Sequence, residues 1–187
     1  MANNKKGFAP YLRMVLTLFV ICAVTAGVVA GVNALTYQKI AENLESEIRE
    51  SIETMFGEGV EYTTLSDIPA TAEAIYEIVR NGEKSYCVNL NSSGFGGDIN
   101  MLVGVAQDGT LIGVSVVSHS ETPGLGSRAT ESPFIDGFVG KKNTSEVDAI
   151  AGATITSSAV KQGAKDAQEI LLSIGLIEFE SQEADGQ

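Results

Sequence analysis

Between Arg13 and Lys39 the chain runs from Met14 to Gln38, 25 residues, without one charged side chain. A helix of that length spans roughly 37 Å, more than the ~30 Å hydrocarbon layer of a bilayer. The run is therefore expected to cross a membrane once, in contact with lipid, rather than to fill a globular core. Lys5, Lys6 and Arg13 precede it, and all 24 acidic residues follow it. Basic flanks stay on the cytoplasmic side, so residues 1–13 are expected in the cytoplasm, 14–38 in the cell membrane and the rest outside. A cleaved signal peptide is the competing reading, with Val32-Asn33-Ala34 as its processing site, but the apolar stretch is longer than the usual signal core. Lipoprotein processing at Cys22 is disfavoured because Phe19, Val20 and Ile21 before it are not small. Ala23, Gly27 and Gly31 share one helix face, a spacing that lets helices approach closely in lipid.

The remaining length suits one ordinary domain. The net charge of the whole chain is −12, and with three basic residues ahead of the anchor the remainder is more acidic still. Nucleic acid is a poor partner for that surface, because its binding rests on neutralising phosphates. Cys22 lies inside the apolar run, so pairing with Cys87 is implausible, and His119 is the one histidine. Zinc and iron–sulfur sites need more ligands than this. No metal site is expected, and any redox cofactor must be held by other groups. His119 itself reads as a solvated loop residue.

The pattern of elements predicts an α+β domain. Ile40, Leu44, Ile48, Ile52 and Met55 recur every three or four residues, an amphipathic helix continuing the anchor and ending at Gly57 or Gly59. Residues 60–65 are expected to form a strand. Pro69 is expected to open a second helix through Arg80, with Ala74, Ile75, Ile78 and Val79 inward and Asn81-Gly82 as its stop. Residues 39–82 then form a helical linker region, and 83–176 form the domain proper. In "KSYCVNL" Tyr86, Val88 and Leu90 alternate onto one face of a strand. The runs Ile99 to Gln107 and Thr110 to Ser118 flank Asp108-Gly109, a strong hairpin signal. A loop over 119–127 and a helical turn near Phe134 to Phe138 follow. A C-terminal helix then carries Ala159, Gly163 and Ala167 as a close-packing face, and Ile170, Leu171 and Ile174 at its apolar end before Gly175. Residues 177–187 read as an acidic, frayed tail.

The segment "DAIAGATITSS", Asp148 to Ser158, carries the most chemical information. Ala151, Gly152 and Ala153 leave the backbone uncovered just before a helix, and Thr154, Thr156, Ser157 and Ser158 supply hydroxyls in its first turn. Free N–H groups and the positive dipole end at a helix start suit a phosphate and need no lysine. An ordinary Thr or Ser N-cap accounts for the same residues. A second segment, "ETPGLG" at 121–126, reads alone as a turn leaving a hairpin. There Pro123 fixes one φ angle, while Gly124 and Gly126 admit close backbone approach.

Together these segments resemble the FMN-binding domain family. "DAIAGAT" is similar to its flavinylation motif, although Ala151 stands where the family has Ser or Thr. Glu121 to Gly126 match its loop beside the flavin ring without change, and "GFGGDI" at 94–99 is similar to its Gly-aromatic-Gly-Gly element. The resemblance implies FMN joined by a phosphoester bond to Thr154, installed by a flavin transferase that uses FAD and reads Asp148. It implies a cofactor site built from Gly152, Ala153, Thr154, Thr156, Glu121, Thr122, Gly124, Leu125 and Gly126. Thr122 would hydrogen-bond the ring or ribitol, and Leu125 would give the ring an apolar contact. No catalytic base or nucleophile is required.

Length and a single anchor resemble the RnfG family, the G component of the Rnf complex, an ion-translocating ferredoxin:NAD oxidoreductase. That implies an electron-transfer subunit, a redox part of a translocase whose partners are the other membrane subunits of the complex. The C component of the sodium-translocating NADH:quinone reductase and a membrane-anchored flavin-bearing sensory module are the alternatives. A bound flavin would have its potential lowered by the acidic surface.

Overall fold

The computed structural model describes residues 8–178, and their side chains other than those of 8–10, 38 and 40–42. The chain divides into two compact units, Met1–Glu45 and Ser46–Gln187. One helix, α1 (Phe8–Phe56), begins in the first and ends in the second. Within it Tyr11–Tyr37 is long and apolar enough to cross a membrane, with a mean hydropathy of 2.5. Three threonines in this stretch hide their hydroxyls in the helix itself. Thr17, Thr25 and Thr36 donate to the carbonyls of Arg13, Ile21 and Val32 at 2.8, 3.0 and 2.8 Å. That satisfies the donors without water, as a lipid environment requires.

The expected inward stripe of the following turns is only partly realised. Leu44 is exposed, Ile40 lies outside the described side chains, and burial begins at Ile48 and culminates in Ile52 and Phe56. The helix stops where expected, with Gly57 at φ +105°. Arg80 donates to the last carbonyl, that of Phe56, at 2.6 Å.

The second unit is an antiparallel sheet of five strands in chain order: β1 (Tyr62–Thr64), β2 (Ala74–Arg80), β3 (Glu83–Ser93), β4 (Asp98–Ala106) and β5 (Leu111–Ser118). The helix expected over 69–80 is a correction. Its second half is β2, paired residue for residue with β3 from Ala74↔Asn89 to Arg80↔Glu83. Asn81 and Gly82 both have positive φ, +53° and +87°. They form a two-residue hairpin turn of the kind Asn-Gly favours, not a helix stop. Ile75, Ile78 and Val79 are β-branched and Tyr76 is aromatic, types that fit a pleated surface. Ile75 and Ile78 accordingly face opposite sides, and Val79 is 53% exposed. Residues 62–64 and 74–80 thus belong to the sheet, which begins well before residue 83.

One face of the sheet carries Ile75, Tyr86, Val88, Leu90, Met101 and Val103 and is covered by the C-terminal helix α2 (Thr154–Ser173). The expected small-residue face of α2 sits tightly there. A Cβ on Gly163 would come within 2.4 Å of the Met101 sulfur, and the buried Ser92 hydroxyl donates to the Ala159 carbonyl at 2.7 Å. The other face packs Tyr76, Ile78, Cys87 and Leu102 against Ile52 and Phe56 at the end of α1. Gly104 and Gly113 are cross-strand partners beneath those turns, and a Cβ on either would come within 2.9 Å of Phe56 or Met55. Beyond α2, Gly175 at φ +71° ends the helix. Ile177 is buried and the Glu178 N–H donates to Gln107 O at 3.1 Å. The expected tail therefore does not start at 177, and residues 179–187 lie outside the described residues.

Candidate functional site

Three loops meet at the start of α2. The first is the turn between β3 and β4, residues 94–97. The second leaves β5 and runs through residues 119–125 into a 3-10 turn at Gly126–Ala129. The third precedes α2 and contains Gly152 at φ +84°. Between them is a cavity of about 300 Å³ lined by Phe95, Glu121, Thr122, Leu125, Gly126 and residues 152–156. All the expected cofactor-site residues except Gly124 line it. Gly124, at φ +74°, shapes the loop instead, and its N–H donates to the Ser127 hydroxyl at 2.9 Å. Asp148 is exposed and stands apart from the lining.

The hydroxyls in the first turn of α2 are not equivalent. Thr156 is buried and donates to Glu121 Oε2 at 2.8 Å. Ser157 is buried and its oxygen accepts the Ile150 N–H at 3.1 Å. Thr154 is exposed at the rim of the cavity. The N-cap is Ala153, which has no side-chain oxygen, so the ordinary Thr or Ser cap is not what this segment provides. The first helical N–H groups are left to face a ligand.

Glu121 is only 5% exposed, although its loop position suggests a side chain open to a ligand. Its Oε1 accepts the N–H groups of Phe95 and Gly96 at 2.7 and 3.0 Å. With the Thr156 hydroxyl on Oε2, one side chain ties the first two loops to the first turn of α2. The glycines explain themselves through this contact. A Cβ on Gly94 or Gly126 would come within 2.2 or 2.4 Å of the carboxylate, and one on Gly96 within 2.2 Å of Ser120 O. Burial pushes the carboxyl's pKa up. The hydrogen bonds from Gly96, Thr156 and Phe95, with His119 nearby, more than offset that and hold it below the usual glutamate value. His119 is exposed, but it is not merely solvated: its Nδ1 accepts the Glu121 N–H at 3.2 Å.

Two residues of the site are not among those expected. Phe95 is 71% exposed and Ile155 57% exposed, and with Leu125, 50% exposed, they give the cavity an apolar rim. A large hydrophobe held open to solvent beside polar loops marks a binding surface. Phe95 lies inside the Gly-aromatic-Gly-Gly element, so a signal for it exists in the sequence. Ile155 sits among threonines and serines with no periodic partner to single it out. Among the described residues, no three His, Cys, Asp or Glu side chains gather as a metal site would need.

Two segments of the chain match known protein families. Residues 94–169, which contain every residue lining the cavity, match the FMN-binding domain family. Residues 5–54 match the RnfG N-terminal region. The G component of an ion-translocating oxidoreductase complex from Pseudomonas aeruginosa is 34% identical over 177 residues, 80% of this chain and 83% of that protein. The chain belongs to the RnfG family. Another relative in this family, the G component of the proton-translocating ferredoxin:NAD(+) oxidoreductase complex from Clostridium ljungdahlii, is 45% identical over 96 residues. That match covers 46% of this chain, and the chain spans about half, 52%, of the length of that relative. The fold of this RnfG family member also resembles the crystal structure of the C component of Na(+)-translocating NADH-quinone reductase from Parabacteroides distasonis. The TM-score is 0.55 and the identity 19%, over 76% of this chain and 96% of that one.

Proposed function

We propose that this chain is a membrane-anchored electron-transfer subunit of an ion-translocating ferredoxin:NAD oxidoreductase complex, and that it carries FMN on the Thr154 hydroxyl through a phosphoester bond. One observation carries the reading. Among the buried and exposed hydroxyls of the first turn of α2, Thr154 alone both lines the cavity and stands exposed, beside helix N–H groups that no side chain caps. Apolar Phe95, Leu125 and Ile155 supply the surface a flat ring needs, and the N-terminal amides of α2 supply the complement of a phosphate. The residues present therefore fit the group.

Attachment joins Thr154 Oγ1 to the riboflavin-side phosphorus of FAD as the pyrophosphate bond breaks and AMP leaves. A flavin transferase supplies the machinery, with exposed Asp148 as part of what it reads. FMN, once held, supplies reversible one- and two-electron chemistry. The chain's own residues bind and orient: Glu121 locks the loops, the apolar rim excludes water and α2 holds the phosphate. The protein works within the complex, receiving electrons from one membrane partner and passing them to another, rather than as an enzyme alone. The basic N-terminus orients it with the flavin domain outside the cytoplasm.

The test is flavin fluorescence in a denaturing gel, with the chain produced in cells that contain the transferase. The wild type is expected to give a fluorescent band and Thr154→Ala a dark band at equal protein. A dark wild-type band, or an equally bright variant, overturns the proposal.

A further inference from the structure

Two loops of the site and the first turn of α2 converge on a carboxylate held by neutral donors. Both oxygens of Glu121 are engaged, by the N–H groups of Phe95 and Gly96 and by the Thr156 hydroxyl. The ion pairs described in the domain join other side chains, and no lysine or arginine reaches this carboxylate among them. Gly94 and Gly126 leave the room that its two oxygens occupy. Structural fastening alone does not call for a charge. A glutamine would accept the two N–H groups through its carbonyl and donate its amide to the Thr156 oxygen, keeping every tie. The carboxylate lies in the wall of the same cavity as Thr154.

From this we infer that Glu121 is a potential-setting residue: a fixed negative charge in the wall of the cavity that makes a flavin held on Thr154 harder to reduce. The inference rests on the reading of Thr154 as the flavin acceptor. The physics is direct. Two electrons and one proton turn the neutral oxidised ring into an anion, whereas two electrons and two protons give a neutral reduced ring. A fixed anion nearby raises the energy of the anionic product and of any electron density added ahead of the proton. Charge in a protein wall is screened by salt far less than charge on the surface. That separates Glu121 from the general acidity of the domain, whose effect fades as ionic strength rises.

The experiment is a spectroelectrochemical titration of the flavin in the full-length, detergent-solubilised protein at pH 8, in low and high salt. Glu121→Gln is expected to move the midpoint potential in the positive direction, with the difference from wild type preserved in high salt. Glu121→Asp keeps the charge while shortening its reach, and is expected to stay closer to wild type than Glu121→Gln does. Equal potentials for wild type and Glu121→Gln, or equal shifts in Glu121→Gln and Glu121→Asp, overturn the inference. Should Glu121→Gln not retain flavin, Thr156→Val decides. It removes a donor that spreads the negative charge, so its potential must fall below wild type, and an unchanged or raised value overturns the inference. A wild-type protein without covalent flavin would instead refute the acceptor reading, a separate failure seen in the gel before any titration.

Discussion

Glu121 contributes to this domain's response to acid as well as to the shape of its site. Its pKa lies below the ordinary glutamate value of 4.5. Its contribution to stability is therefore complete above that pH and is lost as pH falls through the lowered folded-state value. Thermal unfolding of the wild type followed from pH 7 to pH 3 is expected to show this loss, and Glu121→Gln is expected to flatten that part of the profile. Parallel profiles for the two proteins would count against the assignment. Asp108 adds a second, independent contribution on the acid side. The Thr110 N–H lowers its pKa first of all, burial opposes this, and Lys142 helps. The site is legible in the sequence as a set of positions but not as a set of roles. The loop "ETPGLG" announces itself through glycines and a proline. Nothing in it says that the glutamate turns inward, because that depends on amides contributed by Phe95 and Gly96, some 25 residues earlier.

At the scale of elements, the contact that defines the back of the domain is the end of α1 on β2, β3 and β4. Phe56 is 6% exposed and fits over Gly104, and Ile52 is wholly buried beside it. Phe56→Ala is expected to cost about 3–5 kcal/mol in urea unfolding, the usual range for emptying such a site. Cys87 lies beneath the same turns, fully buried, where burial pushes its thiol pKa up and keeps it unreactive. Maleimide labelling of Cys87 in a Cys22→Ala background should thus be slow in the native protein and faster in Phe56→Ala. Equal rates would show that these turns do not guard the face. Strands β3, β4 and β5 are readable because alternation and Asp-Gly act over a few residues. β2 is not, because Ala74, Ile75, Ile78 and Val79 fit a helical spacing as well as a strand. Its choice is made by pairing with β3, a partner that local periodicity does not contain.

For the molecule as a whole, a membrane-length apolar helix and a folded acidic domain share one chain, so the side of the membrane on which the domain lies decides what it can meet. Ser158 is exposed on the first turns of α2, close in sequence to Thr154. Ser158→Cys, with Cys22 and Cys87 replaced, is expected to react with a membrane-impermeant maleimide added outside spheroplasts. Labelling only after permeabilisation would reverse the proposed orientation. The difference between the tied hydroxyls of Thr156 and Ser157 and the open one of Thr154 has a bearing on maturation. Glu121 engages the Thr156 hydroxyl and the Ile150 N–H engages the Ser157 oxygen, while Thr154 stays exposed. Under the proposed attachment at Thr154, maturation would break no described hydrogen bond of the folded domain. On the attachment proposed above, a transferase would meet a first turn in which one hydroxyl alone is open at the cavity, so the choice among neighbours would be made by the fold rather than by the enzyme.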